Sequence, residues 1–105
     1  MASRQRKALW TQRALRDLEI IHRFYSAERE VDVTRRLMGQ FKVAAKAIAA
    51  MPEASPLAQD LMPVGRYRHY LVPPYRIIFR VEPKVVLILR VWDGRKDPQS
   101  LAVEG

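Results

Sequence analysis

The first patterned segment is the short, mostly apolar run Lys7-Ala8-Leu9-Trp10, which reads as a first strand. Thr11 follows as a candidate N-cap, its hydroxyl placed to accept from an unpaired first-turn amide. Ala14, Leu18, Ile21 and Tyr25 then recur at helical spacing, with Leu15 and His22 beside them, so an amphipathic helix is expected to about Ala27. Charged residues from Glu28 to Asp32 mark a turn. A second helix is expected over Leu37, Phe41, Ala44, Ile48 and Met51, stopped by Pro52. Two helices joined so briefly should form an antiparallel hairpin. Three prolines between Pro52 and Gly65 predict a loop.

The period then changes from helical to two. Strands are expected over Arg66 to Val72, Tyr75 to Val81 and Lys84 to Trp92, separated by Pro73-Pro74 and Glu82-Pro83. Connections this short require antiparallel neighbours. The fold class is therefore α+β: an N-terminal strand and a two-helix antiparallel hairpin packed on an antiparallel β-meander sheet. Residues 1–105 make one domain, with a loosely held tail from about 93 to 105, where the periodicity stops.

Composition adds the chemistry. Nineteen Lys and Arg against eleven Asp and Glu give a net charge of +8, which favours an anion-rich partner. From Arg66 to Lys96, eight basic residues face only Glu82 and Asp93, which concentrates the excess on the C-terminal half. Alternation places Tyr75, Ile77, Phe79 and Val81 toward the helices. Pairing the polar sets puts Arg66, Arg68, Arg76, Arg80 and Arg90 on the opposite face. Tyr70, Ile78, Val86, Ile88 and Trp92 share that face, with Arg95 and Lys96 beyond its edge. All five in-sheet cations are arginine, the residue suited to bidentate recognition of carboxylate or phosphate. The apolar centre makes this a protein-binding face at least as readily as a nucleic-acid groove.

Other classes find little support. With no cysteine there are no disulfides and no thiolate metal sites, which suits a reducing cytoplasm. No His-Glu-His spacing suggests a metal, no glycine-rich loop suggests a nucleotide, and no cofactor is expected. The strongly apolar run from Val85 to Leu89 is far too short to span a bilayer, so no membrane is expected as partner. The basic N-terminus lacks the apolar stretch of a signal peptide. His22 reads as a core-edge residue and His69 as a helix-facing structural one.

Element order and local words together resemble the RelE/ParE superfamily of bacterial toxins from type II toxin–antitoxin modules. The matching words are Trp10-Thr11-x-x-Ala14-x-x-Asp17-Leu18-x-x-Ile21, Tyr75-Arg76-Ile77-Ile78-Phe79-Arg80-Val81, and Ile88-Leu89-Arg90-Val91-Trp92-Asp93-Gly94-Arg95-Lys96-Asp97-Pro98. The resemblance implies a toxin neutralised by a cognate antitoxin, typically through an acidic, amphipathic segment that folds on binding. In the ribosome-dependent mRNA-cleaving branch, the matching catalytic positions would be Arg68, Arg76 and Arg95. That branch carries a proton-transferring tyrosine or histidine further on, whereas Leu101 stands about there and no His or Tyr follows Arg95. The chain therefore looks more like the ParE branch, associated with poisoning DNA gyrase. The alternatives are a metal-free endoribonuclease acting on mRNA at the ribosome and a non-toxic nucleic-acid-binding module.

Overall fold

A computed structural model describes residues 6–104; Met1–Gln5 of the basic N-terminus and Gly105 lie outside the described residues. The elements run β1 (Lys7–Trp10), α1 (Gln12–Ala27), α2 (Val31–Ala50), a 3-10 turn (Pro52–Ala54), β2 (Arg68–Val72), β3 (Tyr75–Val81), β4 (Val85–Asp93) and a second 3-10 turn (Pro98–Ser100). Thr11 caps α1 as expected, its Oγ1 accepting from the Ala14 amide at 3.2 Å. At the other end the Glu30 and Arg29 amides donate back to the Tyr25 and Ser26 carbonyls, a Schellman stop. Arg29 takes the left-handed φ of 58° there, where glycine is usual.

The sheet order is β1-β4-β3-β2. β2, β3 and β4 form the expected antiparallel meander, but β1 joins the edge of β4 in parallel. The sheet is therefore mixed, and the helical hairpin is the crossover that a parallel pair needs. Its core lies between the hairpin and one sheet face. Phe41, Ile48, Ile77, Phe79 and Ile88 are sealed there, with Ala14, Ile21, Leu37 and Ala44. Asp17 takes a buried α1 position, while Leu15 and His22 lie exposed and His22 pairs only with Ser26. The reading of His22 as a core-edge residue is corrected accordingly. Met51, placed by its spacing in the helical stripe, is exposed beyond the helix end.

A second apolar cluster lies on the other sheet face: Ile78, Leu89 and Tyr67 with Ala58 and Leu61, flanked by Leu87, Trp92, Leu101 and Val103. The Pro52–Gly65 segment and the C-terminal residues therefore cover that face together. The tail differs from the loose segment expected. Arg90 Nη1 donates to the Ala102 carbonyl at 2.7 Å, and Glu104 accepts from the Tyr67 hydroxyl at 2.7 Å. Among the described residues no helix is long and apolar enough to cross a membrane.

Candidate partner-binding surface

The fate of the arginines follows from strand register. The two-residue Pro73-Pro74 turn pairs Val72 with Tyr75, and counting back pairs Leu71 with Arg76, Tyr70 with Ile77 and Arg68 with Phe79. Residues directly opposite in an antiparallel ladder share a face. Arg68 and Tyr70 therefore lie on the helix side, and His69 and Leu71 lie on the second face. Both placements reverse the expectation, which had matched polar positions across strands. In β4 a bulge opposite Ile78 and Phe79 adds Leu89 to the ladder. Val86 and Ile88 face the helices before it and Val91 does so after it, while Leu87, Leu89 and Trp92 face the other way. The placement of Val86 and Ile88 among the arginines is thereby corrected.

Nor do the remaining arginines form an open cationic face. Arg76 is only 8% exposed and Arg90 only 6%. Arg76 holds Asp60 with two hydrogen bonds, Nη1 to Oδ2 at 2.6 Å and Nη2 to Oδ1 at 2.9 Å. Arg90 reaches past the end of β1 and holds Asp17 through Nε at 2.7 Å and Nη2 at 3.1 Å. Asp17 also accepts the Val91 amide at 2.9 Å, replacing the strand partner that β4 lacks where β1 has become α1. Arg66 and Arg80 meet on Glu104, and Arg80 also pairs with Glu82. Arg68 donates to the Ser55 carbonyl at 2.6 Å. Arg95 wraps Asp93 in a two-residue clamp at 2.9 and 2.8 Å.

The carboxylates respond as such pairing requires. Hydrogen bonding to Arg95 holds Asp93 down to about 2. Arg76 lowers Asp60, and the Tyr67 hydroxyl leads the groups that lower Glu104. Burial lowers His69, whose Nδ1 has no hydrogen-bond partner among the described residues. Stability is therefore expected to fall in two stages on acidification. His69 binds its proton more readily unfolded, so stability declines first as pH drops below about 6.5. The paired carboxylates contribute stability above about 4 that is lost as pH falls toward their lowered values. Urea midpoints between pH 8 and 3 would measure both, and His69→Gln should flatten only the first.

The positions of the nuclease branch are not brought together. Arg68 lies on the helix side, Arg76 is held by Asp60 on the opposite face, and Arg95 is folded onto Asp93 beyond β4. The charge excess also sits elsewhere than expected. Asp17, Asp60 and Glu104 offset the sheet arginines, whereas Arg13, Arg16, Arg35, Arg36, Lys42 and Lys46 on the helices make no ion pair among the described residues.

Of the concavities on the surface, two combine sheet and helix residues relevant to partner binding. One, of about 370 Å³, lies between α1 and the end of β4, lined by Ile20, Phe24, Trp92, Arg95 and Lys96 over a floor of Asp17 and Tyr75. The Tyr75 hydroxyl is 3.2 Å from that of Tyr25, and burial pushes its phenol well above the ordinary value. Trp92 has the Arg90 and Lys96 cations within 5.7 and 5.9 Å of its ring centre. The other, of about 500 Å³, lies between α2 and β2 and includes Val43, Leu71 and Arg36. Of the residues expected at a partner surface, the first cleft brings together Arg90, Trp92, Arg95 and Lys96. Ile20 and Phe24 were missed, although both stand outside the buried stripe of α1, the signal of an apolar residue with no internal use.

Comparison with known proteins gives a consistent frame. A family model described as the ParE toxin of the type II toxin-antitoxin system, parDE, matches residues 8–98. Among solved structures, the chain resembles one titled a chromosomal ParDE TA system from P. aeruginosa. It does so with a TM-score of 0.62 and 23% identity, over 85% of this chain and 96% of that one. That similarity concerns the fold. A search of curated proteins found no match.

Proposed function

Because the chain belongs to the ParE toxin family of type II toxin–antitoxin systems, we propose that it inhibits growth by acting on DNA gyrase in the cytoplasm until a cognate antitoxin neutralises it. The observation that carries the choice of action is the dispersal of Arg68, Arg76 and Arg95. Phosphodiester cleavage without a metal needs cations converging on the developing charge and a positioned proton donor. Here two of the three guanidiniums are committed to carboxylates, and the third lies on the other face of the sheet. Residues 96–105 hold no histidine or tyrosine. Such a surface binds rather than cuts.

Inducible expression tests the reading. Growth arrest is expected, with an induced DNA-damage response and intact transcripts, and purified protein should inhibit supercoiling by gyrase. Co-expression of a cognate antitoxin should restore growth. Unimpaired growth with the toxin alone would refute the toxin reading. Ribosome-dependent mRNA cleavage without a damage response would replace gyrase with the ribosome.

A further inference from the structure

Nothing in the fold or in the surface described above uses the outer face of the helical hairpin. On α2 the exposed residues Arg35, Gly39, Lys42 and Lys46 recur at i, i+4, i+7 and i+11 and form one stripe. Phe41, Ala44 and Ile48 face the core from the other side of the same helix. The stripe runs about 16 Å along the axis, at roughly 1.5 Å per residue. Its cations make no ion pair among the described residues. Beside it lies a groove of about 650 Å³, to which α1 contributes His22 and Ser26.

Gly39 is a second, independent signal. Glycine weakens the middle of a helix, because the unfolded chain has more freedom to lose there. No internal packing explains it, since a Cβ at Gly39 would meet nothing within 4 Å. The missing side chain therefore makes room only for something outside the chain. It lets a partner's backbone come against the helix between Arg35 and Lys42.

We infer that this stripe grips duplex DNA by its phosphates, without reading sequence, with Gly39 as the point of closest approach. Its length matches roughly five phosphates of one strand, at about 3.4 Å of duplex axis each. Arg35 and the two lysines neutralise phosphates on either side of Gly39, and His22 and Ser26 offer hydrogen bonds across the groove. The acids of this side, Glu28, Glu30 and Asp32, gather at the hairpin turn, so the grip is strongest toward Lys46. Single-stranded nucleic acid fits badly, because no Phe, Tyr or Trp lines the groove for bases to stack on. An acidic protein segment fits badly, because glycine stands where such a contact needs an apolar anchor. A lipid surface fits badly, because the apolar stripe of α2 is spent in the core. The inference does not rest on the gyrase reading.

The test is fluorescence anisotropy of a short labelled DNA duplex with the purified full-length chain, across a range of salt concentrations. Wild type should bind, its log affinity falling linearly against log salt. Lys42→Ala combined with Lys46→Ala should weaken binding at least tenfold at low salt and reduce that slope by about 2. Gly39→Leu should weaken binding with every charge retained, and its thermal melt should be no lower than that of wild type. Lys84→Ala removes an exposed cation between β3 and β4 and should cost far less than Lys42→Ala alone. No binding at low salt overturns the inference. So does full affinity in Gly39→Leu, and so does a loss in Lys84→Ala equal to that in Lys42→Ala, which would make net charge the whole effect. Tighter binding to single-stranded DNA, or to vesicles containing phosphatidylglycerol, would overturn it in favour of that ligand. Because the probe is bare DNA without gyrase, this inference and the growth-inhibition reading fail separately.

Discussion

Replacing Asp17 with alanine is expected to cost about 3–5 kcal/mol of folding free energy, among the largest losses available to one substitution in this chain. The carboxylate satisfies three donors, Arg90 Nε, Arg90 Nη2 and the Val91 amide. Neither Asp17 nor Arg90 has water to fall back on, their side chains being 10% and 7% exposed. Removing Asp17 strands a buried guanidinium and an unpaired strand amide together, and water cannot compensate either. A small domain has roughly 5–15 kcal/mol in all, so the variant would stand near the edge of unfolding. Asp17→Asn keeps an acceptor and should lose less. The pair Asp17→Leu with Arg90→Met removes both charges and should be milder than Asp17→Ala alone. Urea unfolding of the three variants decides. A loss below about 1 kcal/mol for Asp17→Ala would mean that the pair behaves as a surface ion pair.

On β3 the contrast lies between neighbours. Phe79→Ala should cost about 3–5 kcal/mol, because the ring is fully buried between the sheet and the helices and its removal leaves a cavity. Arg76→Ala, three residues away on the opposite face, should cost roughly 1–2 kcal/mol. Its partner Asp60 keeps 42% of its side chain in water and is rehydrated when the arginine leaves. Equal losses in the two variants would contradict the assignment of strand faces.

Much of this architecture was legible in the residues. The 3.6 period, Thr11 and Pro52 locate both helices, because capping and proline chemistry act locally. The faces of β3 were legible too, since Tyr75, Ile77, Phe79 and Val81 alternate without interruption. What escaped depends on pairing between distant segments. The Pro73-Pro74 turn did carry the register of β2, since a two-residue connection sets the residues flanking it opposite each other. Matching polar positions instead reversed Arg68, Tyr70 and His69. The Leu89 bulge had no such local mark, so strict alternation carried the side of Arg90 and Trp92 back to Val86 and Ile88, which face the helices instead. Asp17, Asp60 and Glu104 were invisible as arginine partners because 73, 16 and 24 residues separate them from Arg90, Arg76 and Arg80. Only the folded chain shows that the sheet arginines are largely spoken for from within.

The position of β4 has a consequence for how the molecule is born. The strand is central in the sheet yet the last of the four in chain order, and it pairs with β1, the first. Synthesis runs from the N-terminus, so the helical hairpin can form early while β1 and the inner face of α1 wait for their partner. Bringing β1 to β4 closes a loop that holds both helices and two strands, which makes it a late event in folding. The completed sheet, with Asp17 on Arg90 and Leu101 to Glu104 across the second face, thus becomes available only after translation has passed those residues. An emerging copy is correspondingly incomplete at the surface formed by α1 and the end of β4. A partner already present in the cell would meet that surface at the moment it first exists.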